Sequence, residues 1–211
     1  MLNIVRRPSK SVYDYIVIGS GSAGSTLAAR LSEGGANSVL LIEAGPSDRN
    51  VFIQMPAGLG IPLMKDRYNW KFFAESESYS TSEVGPYTPR GRVLGGSSSI
   101  NGMNWARGNS ADYDRWKDSG LTNWSYAHCL PYFKRSEQYE HGDPVYRGHS
   151  GPTNIVKAEI TNPLFRSFLD ASIEYGLELN PDHNGAQQTG AHITQRNVSG
   201  GIRHSASQAY L

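Results

Sequence analysis

Three glycines near the start of the chain have the spacing of a phosphate-binding turn. Residues 19–24 read GSGSAG, so Gly19, Gly21 and Gly24 form a G-x-G-x-x-G pattern. In such a unit the first glycine makes the turn, the second lets the backbone reach a pyrophosphate, and the third lets helix and strand pack closely. N–H groups at the helix start supply an anion site without a basic side chain. Because the pattern alone is weak, a glycine-rich hairpin is the alternative.

The elements that must position this turn are a strand, a helix and a second strand. The apolar run Tyr15–Ile18 predicts a parallel strand buried on both faces. Leu27, Ala28 and Leu31 recur at helical spacing and predict a helix that packs one face on that strand. A second apolar strand follows at Ser38–Ile42. The segment therefore predicts a strand–helix–strand unit of the α/β class that binds a nucleotide. The alternative is a unit of the same kind with a purely structural role.

Glu43 ends the second strand and bears on which dinucleotide would bind. It stands about 20 residues after Gly24, where a carboxylate hydrogen-bonds the diol of an adenosine ribose. Its negative charge would repel a 2′-phosphate. The sequence therefore favours NAD or FAD over NADP.

A second segment rich in glycine and serine lies at residues 91–114 and reads GRVLGGSSSINGMNWARGNSADYD. From Gly95 to Ser99 every residue is small, so backbone N–H groups can converge on a phosphate or on the electron-rich edge of a flavin. An ordinary serine-rich loop is the alternative. Two such segments on one chain imply a cofactor held at two ends.

These motifs together resemble the glucose-methanol-choline (GMC) oxidoreductase family. The resemblance covers essentially the whole chain and is closest to the branch that contains choline dehydrogenases and related alcohol dehydrogenases. It rests on GSGSAG at Gly19–Gly24, Glu43-Ala44-Gly45, the run from Gly91 to Asn101 with Trp105, Gly108 and Asp114, and the stretches NWSY from Asn123, LPYF from Leu130, Asn184-Gly185 and Arg203-His204-Ser205.

The resemblance implies a Rossmann-like FAD-binding domain of the α/β class, with an irregular lid, a flavin-contacting loop, the start of a substrate domain and an incomplete sheet. An isoleucine stands at Ile100, where some choline-oxidising relatives have a histidine that bonds the flavin, so the implied FAD is non-covalent. The implied cofactor-binding residues are Gly19, Gly21, Ser22, Ala23, Gly24, Glu43, Ala44, Arg92, Val93, Gly96, Ser97, Asn101, Gly102, Met103 and Asn104.

The implied activity is oxidation of the CH–OH group of a small-molecule alcohol, with hydride transfer to flavin N5. The resemblance implies that the catalytic base is a histidine near the C-terminus of family members. This chain lacks that region, so no catalytic residue is assigned. The chain is expected to be an N-terminal portion that is inactive alone, and oxygen or a respiratory carrier would accept the electrons. The alternatives are a truncated, non-catalytic FAD-binding fragment and an NAD-dependent dehydrogenase, which would leave residues 91–114 unexplained.

The composition excludes other classes of function. The chain has 211 residues, 38% apolar and 18% charged, with a net charge of +1 and no basic stripe, so nucleic acid is not an expected partner. No apolar run approaches the roughly 18 residues of a membrane span. Cys129 is the only cysteine, and the six histidines lack metal-ligand spacing, so no metal site is expected.

We expect three regions along the chain. Residues 1–11 are a disordered leader without the apolar core of a secretory signal, which makes the cytoplasm the default location. Residues 12–150 form the FAD-binding domain, and residues 151–211 begin a substrate-binding region. Within the first domain, the irregular stretch 45–87 is either a cover over the cofactor or a hydrophobic patch packed on the sheet.

Local signals predict three helices after the second glycine segment. Ser110 and Ser125 are the expected caps of the first two, and Pro131 is expected to kink or split the second. The third starts at Asn162 with a proline in its first turn and is expected to bury Phe165, Phe168, Leu169 and Ile173.

Overall fold

The computed structural model describes residues 10–80 and 83–211. They form two compact units, one comprising residues up to 103 together with 200–211, and the other comprising 104–199. Nine residues of the predicted leader lie outside the described residues. The helices and strands, in chain order, are β1 (Tyr15–Ile18), α1 (Ser22–Ser32), β2 (Val39–Ile42), α2 (Val51–Gln54), α3 (Gly60–Met64), β3 (Phe72–Phe73), β4 (Tyr87–Thr88), α4 (Ser110–Asp118), α5 (Tyr126–Ser136), β5 (Glu137–Tyr139), β6 (Thr153–Lys157), α6 (Pro163–Glu174), β7 (Gln195–Arg196), β8 (Val198–Ser199), β9 (Ile202–Arg203) and α7 (Ala206–Tyr210).

The first unit contains the predicted strand–helix–strand arrangement. Strands β1 and β2 pair in parallel with Tyr15 opposite Val39 and Ile18 opposite Ile42, and α1 connects them. The backbone N–H of Gly19 extends this ladder by donating to the carbonyl of Ile42 over 2.7 Å. The α/β class and the incomplete sheet predicted from the sequence are therefore confirmed.

The prediction that β1 is buried on both faces is wrong for the described residues. Only Val17 is buried, at 8% exposure, whereas Ile18 is 85% exposed. On α1, Ala28 is buried as predicted but Leu27 is exposed. The reason is that the sheet has two strands and α1 covers one of its faces, so an apolar strand keeps exposed side chains.

The stretch 45–87 has more secondary structure than its sequence predicts. It contains α2, α3 and β3, and β3 pairs antiparallel with β4. A hydrophobic core forms here from Ile53, Val93 and Ile100, with Leu63 and Tyr68 packed against it. This core anchors the second glycine segment, while a role for the stretch as a cover stays a prediction.

In the second unit, β5, β6 and β7 form a three-stranded sheet in which β5 and β6 are parallel and β7 is antiparallel to β6. Ser125 caps α5 as predicted, because its side chain accepts from an N–H in the first turn. The helix predicted to start at Asn162 is α6, and Asn162 caps it in the same way. The cap of α4 is Asn109 and not Ser110, since Asn109 Oδ1 accepts from the N–H of Ala111. Helix α5 continues through Pro131 rather than splitting there.

The predicted burial of the apolar face of α6 is also wrong. Phe168 is 75% exposed, Phe165 and Ile173 are exposed as well, and no residue of α6 is buried. The helical spacing correctly predicted that the apolar residues of α6 lie along one side of the helix. This side has no covering element among the described residues.

Buried charges form much of the interior of the second unit, alongside a few buried apolar side chains. Glu137 is fully buried and forms ion pairs with Arg107 and Arg147, over 2.6 and 2.8 Å. Arg147 also pairs with Asp182 over 2.5 Å and donates to Gln195. These partners satisfy the carboxylate of Glu137 and the guanidinium of Arg147 by hydrogen bonds, as burial requires.

Candidate functional site

The first glycine turn adopts a backbone that its glycines make possible. Gly19 has φ +88°, a left-handed conformation that residues with a side chain rarely adopt. A Cβ on Gly24 would overlap the carbonyl oxygen of Gly19, so α1 touches the turn backbone to backbone. Val17 of β1 lies beside the same position. Strand and helix therefore approach as closely as the pattern requires.

The start of α1 is open for a ligand. Gly21 is the N-cap of the helix, and it has no side chain to accept from the N–H groups that follow. A Cβ built on Gly21 meets no atom within 4 Å, so the space beside it is empty. Ser22 and Ala23 begin the helix, whose first N–H groups have no intrahelical acceptor. This arrangement suits an anion that approaches the backbone at Gly21.

Glu43 follows β2 and ties the first turn to the strand end. Its Oε2 accepts from the backbone N–H and the hydroxyl of Ser20, each over 2.8 Å, and its Oε1 accepts from the N–H of Gly45 over 2.8 Å. A carboxylate has about four acceptor sites, so one remains for a hydroxyl of a ligand. Ser20 is fully buried, and sequence reasoning missed its part in this link.

The second glycine segment lies directly against the first. Gly95 donates its N–H to the carbonyl of Ser20 over 2.9 Å, although the two residues are 75 positions apart. A Cβ on Gly96 would stand 2.6 Å from the Cα of Gly21. A Cβ on Gly45 would overlap the backbone of Arg92. The predicted cofactor contacts in 19–24, 43–44 and 92–97 therefore lie on segments that touch one another in the first unit.

Serines shape the second segment from within. Residues 96–99 form a 3₁₀ helix that follows Gly95, and both Gly95 and Gly96 have positive φ. Ser98 Oγ donates to the carbonyl of Gly95 over 2.6 Å, and Ser99 Oγ donates to that of Leu94 over 2.7 Å. These two hydroxyls are used within the segment, where they stabilise the turn.

The remaining predicted contacts divide between the core, the surface and the second unit. The side chain of Val93 is buried in the core with Ile100, so a cofactor could reach only its backbone. Asn101 and Gly102 are exposed, whereas Met103 is buried with φ +62°. Asn104 belongs to the second unit, where it forms a bridge with Arg196.

Two arginines add positive charge near the second segment. Arg92 has its guanidinium 4.9 Å from the ring centre of Trp70. Arg203, which sequence reasoning did not assign to the site, is buried and donates to the carbonyl of Ser98 over 3.1 Å. Burial lowers the pKa of Arg203 to about 10, so this side chain stays cationic at neutral pH.

Across residues 10–80 and 83–211, no group of three or more His, Cys, Asp or Glu side chains is arranged to hold a metal ion. No helix within those ranges has the length and apolar character that crossing a membrane requires.

Known proteins resemble this chain in sequence. The oxygen-dependent choline dehydrogenases of Rhizobium johnstonii and Photobacterium profundum are 48% and 47% identical to it, over 94% and 95% of its length. The chain spans 36% of the length of each of these relatives.

Solved structures agree with this resemblance. A pyridoxine 4-oxidase from Mesorbium loti superimposes with a TM-score of 0.85 at 34% identity, over 93% of this chain and 39% of that one. An FAD-dependent oxidoreductase from Chaetomium thermophilum gives a TM-score of 0.85 at 29% identity, over 95% of this chain and 36% of that one. Residues 13–211 match the family model described as GMC oxidoreductase. The chain belongs to the GMC oxidoreductase family.

Proposed function

We propose that this chain binds FAD non-covalently and serves as the FAD-binding part of an enzyme that oxidises the CH–OH group of a small-molecule alcohol. Its family membership supports an oxidoreductase. One similar structure is described as an FAD-dependent oxidoreductase, and similar sequences are described as oxygen-dependent choline dehydrogenases. Choline is therefore the first substrate to test, and oxygen or a respiratory carrier is the proposed electron acceptor.

The observation that carries the proposal is the direct contact between the two glycine segments. Gly95 hydrogen-bonds Ser20, and Gly96 leaves no room for a side chain against Gly21. A cofactor with a phosphate part and a flavin part needs two backbone surfaces side by side, and an NAD-dependent dehydrogenase gives the second segment no role. Residues present in the structure therefore fit FAD.

We assign cofactor-binding roles to the two glycine segments and to Glu43. Gly21 and the first turn of α1 would hold the pyrophosphate, and the acceptor site left on Glu43 would take a ribose hydroxyl. The segment from Arg92 to Asn104 would hold the flavin through backbone N–H groups. Bound FAD supplies the acceptor for a hydride from the alcohol.

A non-covalent flavin agrees with the surroundings of Ile100. Its hydrocarbon side chain is 2% exposed and packs with Ile53 and Val93, so it offers neither a nucleophile nor a reachable atom. We assign no catalytic base to this chain. The proposed functional division, with cofactor binding in 12–150 and substrate contacts from 151 onward, does not coincide with the boundary between the compact units at 103 and 104.

Binding of FAD to a glycine variant tests the proposal. Gly21 has φ −66°, which any residue adopts, and open space around it, so Gly21→Val should fold normally while its side chain fills the place of the pyrophosphate. We expect the unmodified chain to retain FAD through gel filtration, seen as flavin absorbance, and Gly21→Val to lose it. Gly34→Val is the matched control, because Gly34 lies beyond α1, has open space, and should leave binding unchanged.

Two results would contradict the proposal. Equal FAD retention by Gly21→Val would show that the pyrophosphate does not approach this turn. Absence of FAD binding by the unmodified chain, together with binding of NAD, would favour the dehydrogenase alternative.

A further inference from the structure

Arg203 is a buried cation with no anionic partner among the described residues. Its side chain is 2% exposed, and Nε donates to the carbonyl of Ile53 over 2.8 Å. Nη1 donates to the carbonyl of Ser98 over 3.1 Å and to Oδ1 of Asn101 over 2.9 Å. Nη2 is buried and has no hydrogen-bond acceptor in the part of the chain that the structure describes. All three acceptors are neutral.

Arg147 is another fully buried arginine, and its contacts show what this cation lacks. Arg147 is paired with Glu137 and Asp182, so its charge is neutralised where it lies. Burial of an unpaired charge costs free energy, and proteins usually avoid it or compensate it. The pKa of Arg203 falls to about 10 through burial alone, which agrees with the missing carboxylate. An uncompensated positive charge therefore lies under the second glycine segment.

Arg203 and the backbone N–H of Met103 together fix which way the amide of Asn101 points. Oδ1 of Asn101 accepts from Nη1 of Arg203 and from the backbone N–H of Met103 over 3.0 Å. Both of these groups can only donate, so the atom they meet must be the amide oxygen. The amide NH₂ of Asn101 is then fixed as a donor at an exposed residue of the loop.

We infer that Arg203 is a positioning residue for the flavin: its buried charge and the amide NH₂ of Asn101 that it orients together favour the reduced form of FAD. This inference rests on the proposed function, in which the loop from Arg92 to Asn104 holds the flavin. Hydride transfer from an alcohol adds one negative charge to the flavin, and the alcohol's hydroxyl proton leaves to a base. A nearby cation and an oriented donor bind the more negative form more strongly, which raises the midpoint potential.

The midpoint potential of FAD bound to the chain tests the inference, measured against a reference dye. Arg203→Met removes the charge and all three hydrogen bonds. We expect it to weaken the preference for reduced FAD at least tenfold, which lowers a two-electron midpoint potential by about 30 mV. Arg203→Lys keeps the charge and should cause a smaller fall.

Two further variants separate this role from a structural one. Asn101→Asp keeps an acceptor for Arg203 but neutralises its charge and removes the outward donor, so it should lower the potential even with folding preserved. Arg30→Met is the matched control, since it removes the same charge from α1, where Arg30 pairs with Glu33 and does not contact the loop.

The outcomes are distinct. A lower potential in Asn101→Asp and Arg203→Met, with Arg30→Met unchanged, supports the inference. Unchanged potentials in Asn101→Asp and Arg203→Lys, with FAD bound, overturn it even if Arg203→Met fails to fold, and leave the proposed function intact. Absence of FAD binding by the unmodified chain overturns the proposed function and the inference together.

Discussion

Glu137 is a polar residue whose hydrogen-bond partners give it a structural role. Its carboxylate accepts from Arg107, Arg147 and the indole N–H of Trp105, over 2.6 to 2.8 Å. The N–H of Gly148 donates to it as well. With two cations and two neutral donors, the carboxylate has no capacity left for chemistry. Its role is to hold the interior of the second unit.

His183 is another buried polar residue, and its protonation state follows from its contacts. Nε2 lies 3.1 Å from the carbonyl of Trp105, which can only accept, and 3.3 Å from the amide nitrogen of Asn184. The amide hydrogens of Asn184 are directed at the carbonyl of Trp105 and at Oε1 of Gln195, so Nε2 of His183 carries the hydrogen. Nδ1 is buried without a partner in the described residues, and the ring stacks on His192 with centroids 4.1 Å apart. Burial, followed by the neighbouring His192 ring, lowers the pKa of His183 below its ordinary value of 6.5.

This lowered pKa predicts a loss of stability in acid. Because the unfolded chain takes up the proton more readily than the folded chain, the contribution of His183 is fully present above about pH 6.5 and declines as the pH falls below that value. We expect His183→Gln, which keeps a donor for Trp105 but does not titrate here, to flatten the pH dependence of the unfolding free energy. Urea unfolding at pH 5, 6, 7 and 8 measures it.

The exposed residue His141 supplies the control for this measurement. The variant His141→Gln should keep the acid sensitivity of the unmodified chain. If His183→Gln has the same slope as the unmodified chain between pH 7 and pH 5, the assignment of a buried neutral imidazole is wrong.

At the scale of elements, the close contact between the first turn and the 3₁₀ helix 96–99 should be sensitive to a single methyl group. Gly96 has φ +56°, and its added Cβ would meet the Cα of Gly21 at 2.6 Å. We expect Gly96→Ala to destabilise the chain by about 1–3 kcal/mol, from backbone strain and from separation of the two segments. FAD affinity should fall as well, because the two glycine segments would move apart.

Urea unfolding and FAD titration of Gly96→Ala measure these effects. Gly34→Ala, with open space and no positive φ, is the control and should change neither quantity appreciably. Full stability of Gly96→Ala would mean that the segments can separate at no cost, which contradicts a rigid two-part site.

Elements whose signals are local could be predicted from the sequence, and contacts between distant elements could not. The cap at Ser125 and the helix start at Asn162 depend on residues within one turn, and both predictions were confirmed. Burial of β1 and α6 depends on what lies across from them, which a local pattern does not specify. Arg203 contacts Ser98 across 105 positions, so no spacing rule could have connected them.

At the scale of the whole molecule, most of the proposed site lies within one compact unit. Every predicted FAD contact except Asn104 belongs to the unit that comprises residues up to 103 and 200–211. The segment 200–211 contributes Arg203 and α7 to this unit, although it is the most distant in sequence from the first turn. The unit that contains the proposed site is therefore built from two segments that are far apart in sequence.

This arrangement predicts that FAD stabilises the folded chain. A ligand that binds only the folded state adds about 2.7 kcal/mol at a concentration of 100 times its Kd, or roughly 5–10 °C in Tm for a chain of this size. We expect FAD to raise the Tm by that amount and NAD to leave it unchanged. Hydrogen exchange should show the added protection in peptides that cover 19–24 and 91–103. Protection confined to residues 104–199 would place the cofactor elsewhere and contradict the proposed site.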